Sequence, residues 1–234
     1  MTAMRVGAIT HIGQVRTVNQ DAYLVKGCVI AVADGMGGHQ AGEVASGLAL
    51  KVIEKWAFDG KQPVASLQKA LKSANTLVFQ TAKEHEDMAG MGTTLSLAWL
   101  LNDRIYIAHI GDSRVYTLSQ EKLVQVTWDH SVVGELVRNG ALDEEEALRH
   151  PHRNILTRSL GTHPTANFDL HELSSASTSA LLLCTDGLYS LVSRKEIETL
   201  IVNAADPQVA VEELVHLANE RGGHDNITAL LVFL

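Results

Sequence analysis

Two apolar runs in this chain end the same way. Val29-Ile30-Ala31-Val32-Ala33 leads into Asp34-Gly35, and Leu181-Leu182-Leu183-Cys184-Thr185 leads into Asp186-Gly187. A third carboxylate, Asp225, precedes Asn226 at the mouth of the last apolar run. A fourth, Asp21, closes Arg16-Thr17-Val18-Asn19-Gln20-Asp21. Taken singly, each has a plain explanation, because Asp-Gly is a common turn pair and Asp caps helices. As a set they carry more. Carboxylates held at the ends of sheet strands could converge on one edge, where they would repel unless cations sat between them. The chain has no HExxH sequence and no cysteine pair at metal-ligand spacing, so an all-oxygen site for Mg²⁺, Mn²⁺ or Ca²⁺ is the chemistry to expect. Gly35, lacking a side chain, would allow close approach to its backbone carbonyl.

The elements that must position these groups follow from periodicity. Residues 40–57 place Val44, Leu48, Val52 and Trp56 at helical spacing. Residues 63–85 do the same with Val64, Leu67, Leu71 and Val78, so two amphipathic helices are expected. The period then changes. Leu95, Leu97, Trp99 and Leu101 alternate with Thr94, Ser96 and Ala98 as in a half-buried strand. Further strands are expected at 104–110, 114–118 and 123–127. Their short connections predict an antiparallel meander. Residues 130–165 are charged and carry Gly134, Gly140, Pro151, Gly161 and Pro164, which suits one or two short helices in a mobile surface segment. Strands near 167–173 and 179–185, helices near 193–204 and 207–221, and a last strand at 227–234 complete the chain. Runs of strands and runs of helices, without alternation, predict an α+β domain of packed antiparallel sheets with helices outside.

Composition narrows the function. The chain has 234 residues and 46% hydrophobic content, enough for one domain with a sizeable core. Its net charge of −8 and lack of a basic block argue against nucleic acid as a partner. No apolar run has the length of a membrane span and the first residues lack a signal-peptide pattern, so a cytoplasmic location and no membrane association are expected. A monomer is expected. Cys28 and Cys184 lie in apolar runs and read as buried core thiols. Neither heads a Cys-x5-Arg loop, since Asp34 and Ser190 stand where that arginine would be.

Seven segments occur in order: Arg16-x-x-Asn19-Gln20-Asp21, Ala33-Asp34-Gly35-Met36-Gly37-Gly38-His39, Gly90-Met91-Gly92-Thr93-Thr94, Ile110-Gly111-Asp112-Ser113-Arg114, Asp129-His130-Ser131, Cys184-Thr185-Asp186-Gly187-Leu188 and Asp225-Asn226-Ile227-Thr228. Together they resemble the bacterial branch of the metal-dependent type 2C protein phosphatases, across essentially the whole chain. That resemblance implies a central sandwich of two antiparallel sheets flanked by helices on both sides, as a single domain with a flap-like insertion at about 134–165. It implies hydrolysis of phosphoserine and phosphothreonine by a metal-activated water, with no phosphoenzyme. It also implies two core Mg²⁺ or Mn²⁺ ions and a weaker third. By the same resemblance, Asp34 bridges the core ions, the Gly35 carbonyl binds one, and Asp186 and Asp225 hold the other. Asp21 orients a water, Asp129 together with Asp186 binds the third ion, and Arg16 grips the phosphate.

His39 is a candidate proton donor to the leaving oxygen and equally a candidate capping or supporting residue. Asp112 reads as a turn-forming or supporting group. Partners would be phosphorylated proteins, substrates of a serine/threonine kinase. Two other readings compete: a catalytically dead phosphoprotein binder, and a phosphatase of a sigma-factor switch. The first would be expected to have lost ligand carboxylates or the arginine; the second usually lacks the arginine motif and carries sensor domains.

Overall fold

The computed structural model describes residues 4–37 and 41–234. Strand β1 (Arg5–His11) is followed by the hairpin of β2 (Asp21–Lys26) and β3 (Val29–Met36). Helices α1 (Ala41–Lys55) and α2 (Pro63–Glu84) come next, and then β4 (Gly92–Thr93), β5 (Leu95–Leu101), β6 (Arg104–Ile110), β7 (Arg114–Ser119) and β8 (Lys122–Gln125). Two short helices, α3 (Val132–Arg138) and α4 (Glu144–Arg149), precede β9 (Asp169–Ser174) and β10 (Ala180–Cys184). The chain closes with α5 (Asp186–Tyr189), α6 (Arg194–Asn203), α7 (Pro207–Glu220) and β11 (Ile227–Phe233).

The strands form two sheets, ordered β1-β11-β10-β7-β8 and β2-β3-β5-β6-β9, with β4 paired to the end of β3. Every ladder is antiparallel. The sandwich is α-β-β-α, as expected. Ile30, Val32, Leu181, Leu183, Leu230 and Val232 meet between the sheets. Their neighbours of opposite parity, such as Ala31 and Ala33, pack under α1 and α2, while Leu182, Cys184, Ala229 and Leu231 pack under the C-terminal helices. Central strands buried on both faces read as unbroken apolar runs for this reason. β5 belongs with them: its first five residues are buried, not alternately exposed.

Three expectations need correction. β6 and β7 are not hairpin partners; they lie in different sheets, so residues 111–113 cross from one sheet to the other. A short connection excludes a parallel crossover but does not require pairing, and here the sandwich is narrow enough to be crossed by three residues. Cys28 is exposed, in the turn between β2 and β3, and only Cys184 is buried. The segment 134–165 is not one loose excursion. An isolated bridge between Ser131 and Leu156 closes the protruding part, and the remainder returns to the core. Leu160 is fully buried and bridges Thr93, and Asn75 donates to His163 O (3.0 Å) and accepts from Gly161 N (2.8 Å). Among the described residues no helix is long and apolar enough to cross a membrane.

Candidate active site

The strand ends bring the carboxylates together. Asp21 opens β2 and is the register partner of Asp34 on β3. Asp34 has the parity of Ile30 and Val32, so it faces the opposite sheet at the end of the inter-sheet core. Asp186 begins α5 directly after β10, Asp225 stands two residues before β11, and Asp112 sits in the crossing between β6 and β7.

Backbone and hydroxyl contacts fix the cluster. Asp34 N donates to Thr94 Oγ1 (2.9 Å), and Asp34 O accepts from Thr93 Oγ1 (2.9 Å). The Asp21 side chain spans the sandwich: its Oδ2 accepts from Thr185 Oγ1 (2.8 Å) and Thr228 Oγ1 (2.7 Å), both at the ends of strands of the other sheet. Asn226 donates to Ile12 O (2.9 Å) and Val18 O (3.0 Å) and accepts from Gln20 N (2.8 Å), pinning the loop that carries Arg16. The Arg16 guanidinium lies on Asp225 Oδ2 at 2.6 Å. The Asp112 turn is clamped as well. Gly111, at φ 104°, donates to His130 Nδ1 (3.2 Å), Ser113 Oγ lies 2.6 Å from Thr94 Oγ1, and Tyr189 OH donates to Asp112 O (3.1 Å). Gly35 has a packing reason beyond access to its carbonyl, because a Cβ there would lie 2.0 Å from Gly42 O in α1.

The electrostatics are those of crowded, buried anions. Burial, reinforced by Asp21, Asp186 and Asp112, pushes the Asp34 carboxyl well above its ordinary range. Burial and the nearby Asp186 do the same for Asp112, against the pull of Arg114. Asp186 is raised to about 6 by burial and Asp225, with Arg16 opposing. Burial raises Asp21 to about 7, against the two threonine hydrogen bonds. Asp21 Oδ1 and Asp186 Oδ1 are buried with no hydrogen-bond partner among the described residues. Such orphaned acceptors are costly unless something positive meets them.

Among the described residues no three acidic, histidine or cysteine side chains close into a protein-only cage. The arrangement instead fits a hard cation that keeps several waters and takes only one or two carboxylates, as Mg²⁺ does. Oxygen donors, mutual repulsion and orphaned acceptors all agree with that class of ion.

Asp129 stands apart from the expectation placed on it. Arg114 Nε and Nη2 grip both its oxygens (3.0, 3.1 and 2.8 Å), and Gln125 Nε2 donates to Oδ1 at 3.1 Å. The Arg114 guanidinium in turn stacks 3.7 Å from the Tyr189 ring centroid. Asp129 is thus the partner of a mostly buried arginine, and Asp112 is the residue that joins the carboxylate cluster. The signal for Asp112 was its place in Gly-Asp-Ser-Arg, which the turn explanation absorbed. Thr94, Thr185, Thr228 and Asn226 stand in the seven segments without an assigned role, and each owes its part to contacts made by the fold. His39 lies outside the described residues.

The sequence model of the family described as Protein phosphatase 2C matches residues 10–231. The chain belongs to that family. This phosphatase is 38% identical over 210 residues to the serine/threonine phosphatase Stp of Listeria welshimeri, covering 87% of this chain and 83% of that protein. Its fold superposes on the crystal structure of the serine/threonine phosphatase Stp1 from Staphylococcus aureus with a TM-score of 0.93, at 33% identity, covering all of this chain and 96% of the other. The catalytic domain of the serine/threonine protein phosphatase PstP, solved in complex with two manganese ions, superposes with a TM-score of 0.87 at 32% identity, over 98% of this chain and 97% of that one. The family and these relatives identify a hydrolase of phosphoserine and phosphothreonine in proteins. Its substrates are therefore phosphoproteins.

Proposed function

We propose that the carboxylate cluster between the sheets is the reaction centre of this phosphatase, with Asp34, Asp186, Asp225 and the Gly35 carbonyl holding Mg²⁺ or Mn²⁺ and Asp112 with Asp186 offering a weaker further position. The observation that carries this reading is the convergence of Asp21, Asp34, Asp112 and Asp186 at one edge of the sandwich, where Asp21 Oδ1 and Asp186 Oδ1 lie without a hydrogen-bond partner among the described residues. The manganese bound by the similar PstP domain supports the choice of ion. When bound, such ions supply Lewis acidity and a water that is nucleophilic near neutral pH. The other roles belong to the chain. Arg16, half exposed at the mouth, and a cation compete for Asp225, so the guanidinium is free for phosphoryl oxygens whenever Asp225 is otherwise engaged. Its planar fork suits two of those oxygens at once. Asp21, held by Thr185 and Thr228, presents its orphaned oxygen as an acceptor that can position a water or hold a proton.

The insertion at about 134–165, whose first part is closed by the isolated Ser131–Leu156 bridge, serves as a flap beside this centre. The opposing enzyme is a serine/threonine kinase, and the free cysteines suit a cytoplasmic setting. Apart from Val124, Trp128 and Leu148 beside the flap, exposed apolar residues such as Val15, Tyr23, Val64 and Val209 scatter over separate elements, which supports a monomer. The test is phosphate release from a phosphothreonine peptide in chelator and after Mn²⁺ or Mg²⁺ is restored. Activity should vanish and return; turnover that ignores the chelator would refute the reading.

A further inference from the structure

A cleft of about 490 Å³ opens from the carboxylates and runs between the flap and the C-terminal helices. Asp112, Asp186 and Asp225 line it, so it is continuous with the reaction centre. Val137 and Leu148 of α3 and α4 form one wall, Tyr189 and Leu191 the other, and Trp128 and Val124 also border it. Trp128 is 47% exposed, Val124 53% and Leu148 37%, a concentration of open apolar surface beside an otherwise charged site. Glu144 of α4 and Arg194 of α6 join the two walls at 3.5 Å through half-exposed side chains. An exposed pair of that kind contributes little and can part for a ligand.

We infer that this cleft seats an apolar side chain of the phosphoprotein substrate, close in sequence to the phosphorylated residue, and so sets a sequence preference. The inference rests on the assignment of the carboxylate cluster as the reaction centre. Three features carry it. Asp112, Asp186 and Asp225 line one end of the cleft, so a peptide whose phosphate lies at those carboxylates has these walls within reach of its neighbouring side chains. Its size is that of a ligand pocket and exceeds what a phosphoryl group alone would fill. Beside the charged Arg153, Arg194 and Glu144, its borders offer branched aliphatic side chains and the Trp128 ring, one face of which Arg138 approaches at 5.7 Å, and these apolar groups gain most from covering another apolar group. An aryl phosphate, by contrast, needs only the carboxylates and Arg16.

The unaltered enzyme, loaded with Mn²⁺, is assayed on phosphothreonine peptides of Gly and Ser in which a single Leu is moved through the positions within about three residues of the phosphothreonine. At least one register should raise kcat/KM about tenfold over the peptide without Leu. Leu148→Asp should remove that preference while kcat/KM for an aryl phosphate stays within about twofold, and Trp128→Ala should act in the same direction. Equal rates for every register would overturn the inference without needing any variant. So would a Leu148→Asp enzyme that loses peptide and aryl phosphate turnover in parallel. If Leu148→Asp instead converts a sedimenting dimer to monomer and leaves the peptide preference intact, the surface belongs to a second copy and the inference fails. Absence of aryl phosphate hydrolysis with Mn²⁺ would refute the reaction-centre assignment itself, and this inference with it.

Discussion

Asp21 Oδ2 accepts a 2.7 Å hydrogen bond from Thr228 Oγ1, joining the first residue of β2 in one sheet to β11 in the other. With Thr185 it makes a buried carboxylate the tie between the two halves of the sandwich at the edge where the reaction centre lies.

Thr228→Val should therefore destabilise the protein by about 1–3 kcal/mol, because it withdraws a donor from a buried carboxyl acceptor while nearly keeping the shape of the side chain. Urea denaturation of the chelated protein measures this. A change below about 0.5 kcal/mol would mean that the hydroxyl does not support Asp21.

The metal-free protein should lose stability as pH rises. Asp21 and Asp186 are raised to about 7 and about 6, and Asp34 and Asp112 are raised as well. A carboxyl with a raised folded-state pKa binds more protons folded than unfolded between the two values. Stability therefore falls as pH climbs from the unfolded pKa near 4 through the folded one. Melting temperature in chelator should drop between about pH 5 and pH 7.5, and Mn²⁺ should flatten the slope. A rise with pH in chelator would show that these carboxyls are not crowded.

Asp112 and Asp129 should part company. Asp112→Ala relieves repulsion, so the chelated protein should keep or gain stability while turnover falls. Asp129→Ala leaves the mostly buried Arg114 without its carboxylate and should cost about 1–3 kcal/mol, with binding of the core ions retained in the folded fraction. Thermal unfolding alongside Mn²⁺ titration separates the two. The reverse pattern would restore Asp129 to the metal site.

Arg16→Ala should raise KM for an aryl phosphate more than it lowers kcat, since the guanidinium meets phosphate already in the ground state. A charge-assisted contact of roughly 1.5–3 kcal/mol corresponds to about 10- to 100-fold in kcat/KM. An unchanged KM would leave Arg16 as a partner of Asp225 alone.

What could be read before folding depended on whether the cause was local. Asp34 and Asp186 were legible because an apolar run ending in Asp-Gly reports a buried strand and its terminus together. Helices α1 and α2 were legible from their 3.6-residue stripes. The crossing at residues 111–113 was not, because a tight hairpin and a step between two sheets use the same turn residues. The place of Asp112 beside Asp186 follows from that crossing and has no local signal beyond its Gly-Asp-Ser-Arg turn. The pairing of Asp129 with Arg114 was not legible, because the two are fifteen residues apart in sequence and brought near only by the fold. The return of Leu160 to the core has no periodic signal either, since a single apolar residue is held there by Thr93 and its neighbours.

Calorimetric titration of Mn²⁺ into the chelated protein and into Asp34→Asn, with phosphate release followed on the same samples, tests the central assignment most directly. The parent should bind about two ions tightly and recover activity in step with binding, whereas Asp34→Asn should stay folded, lose tight binding and remain inactive. Tight binding and full turnover in Asp34→Asn would contradict the account.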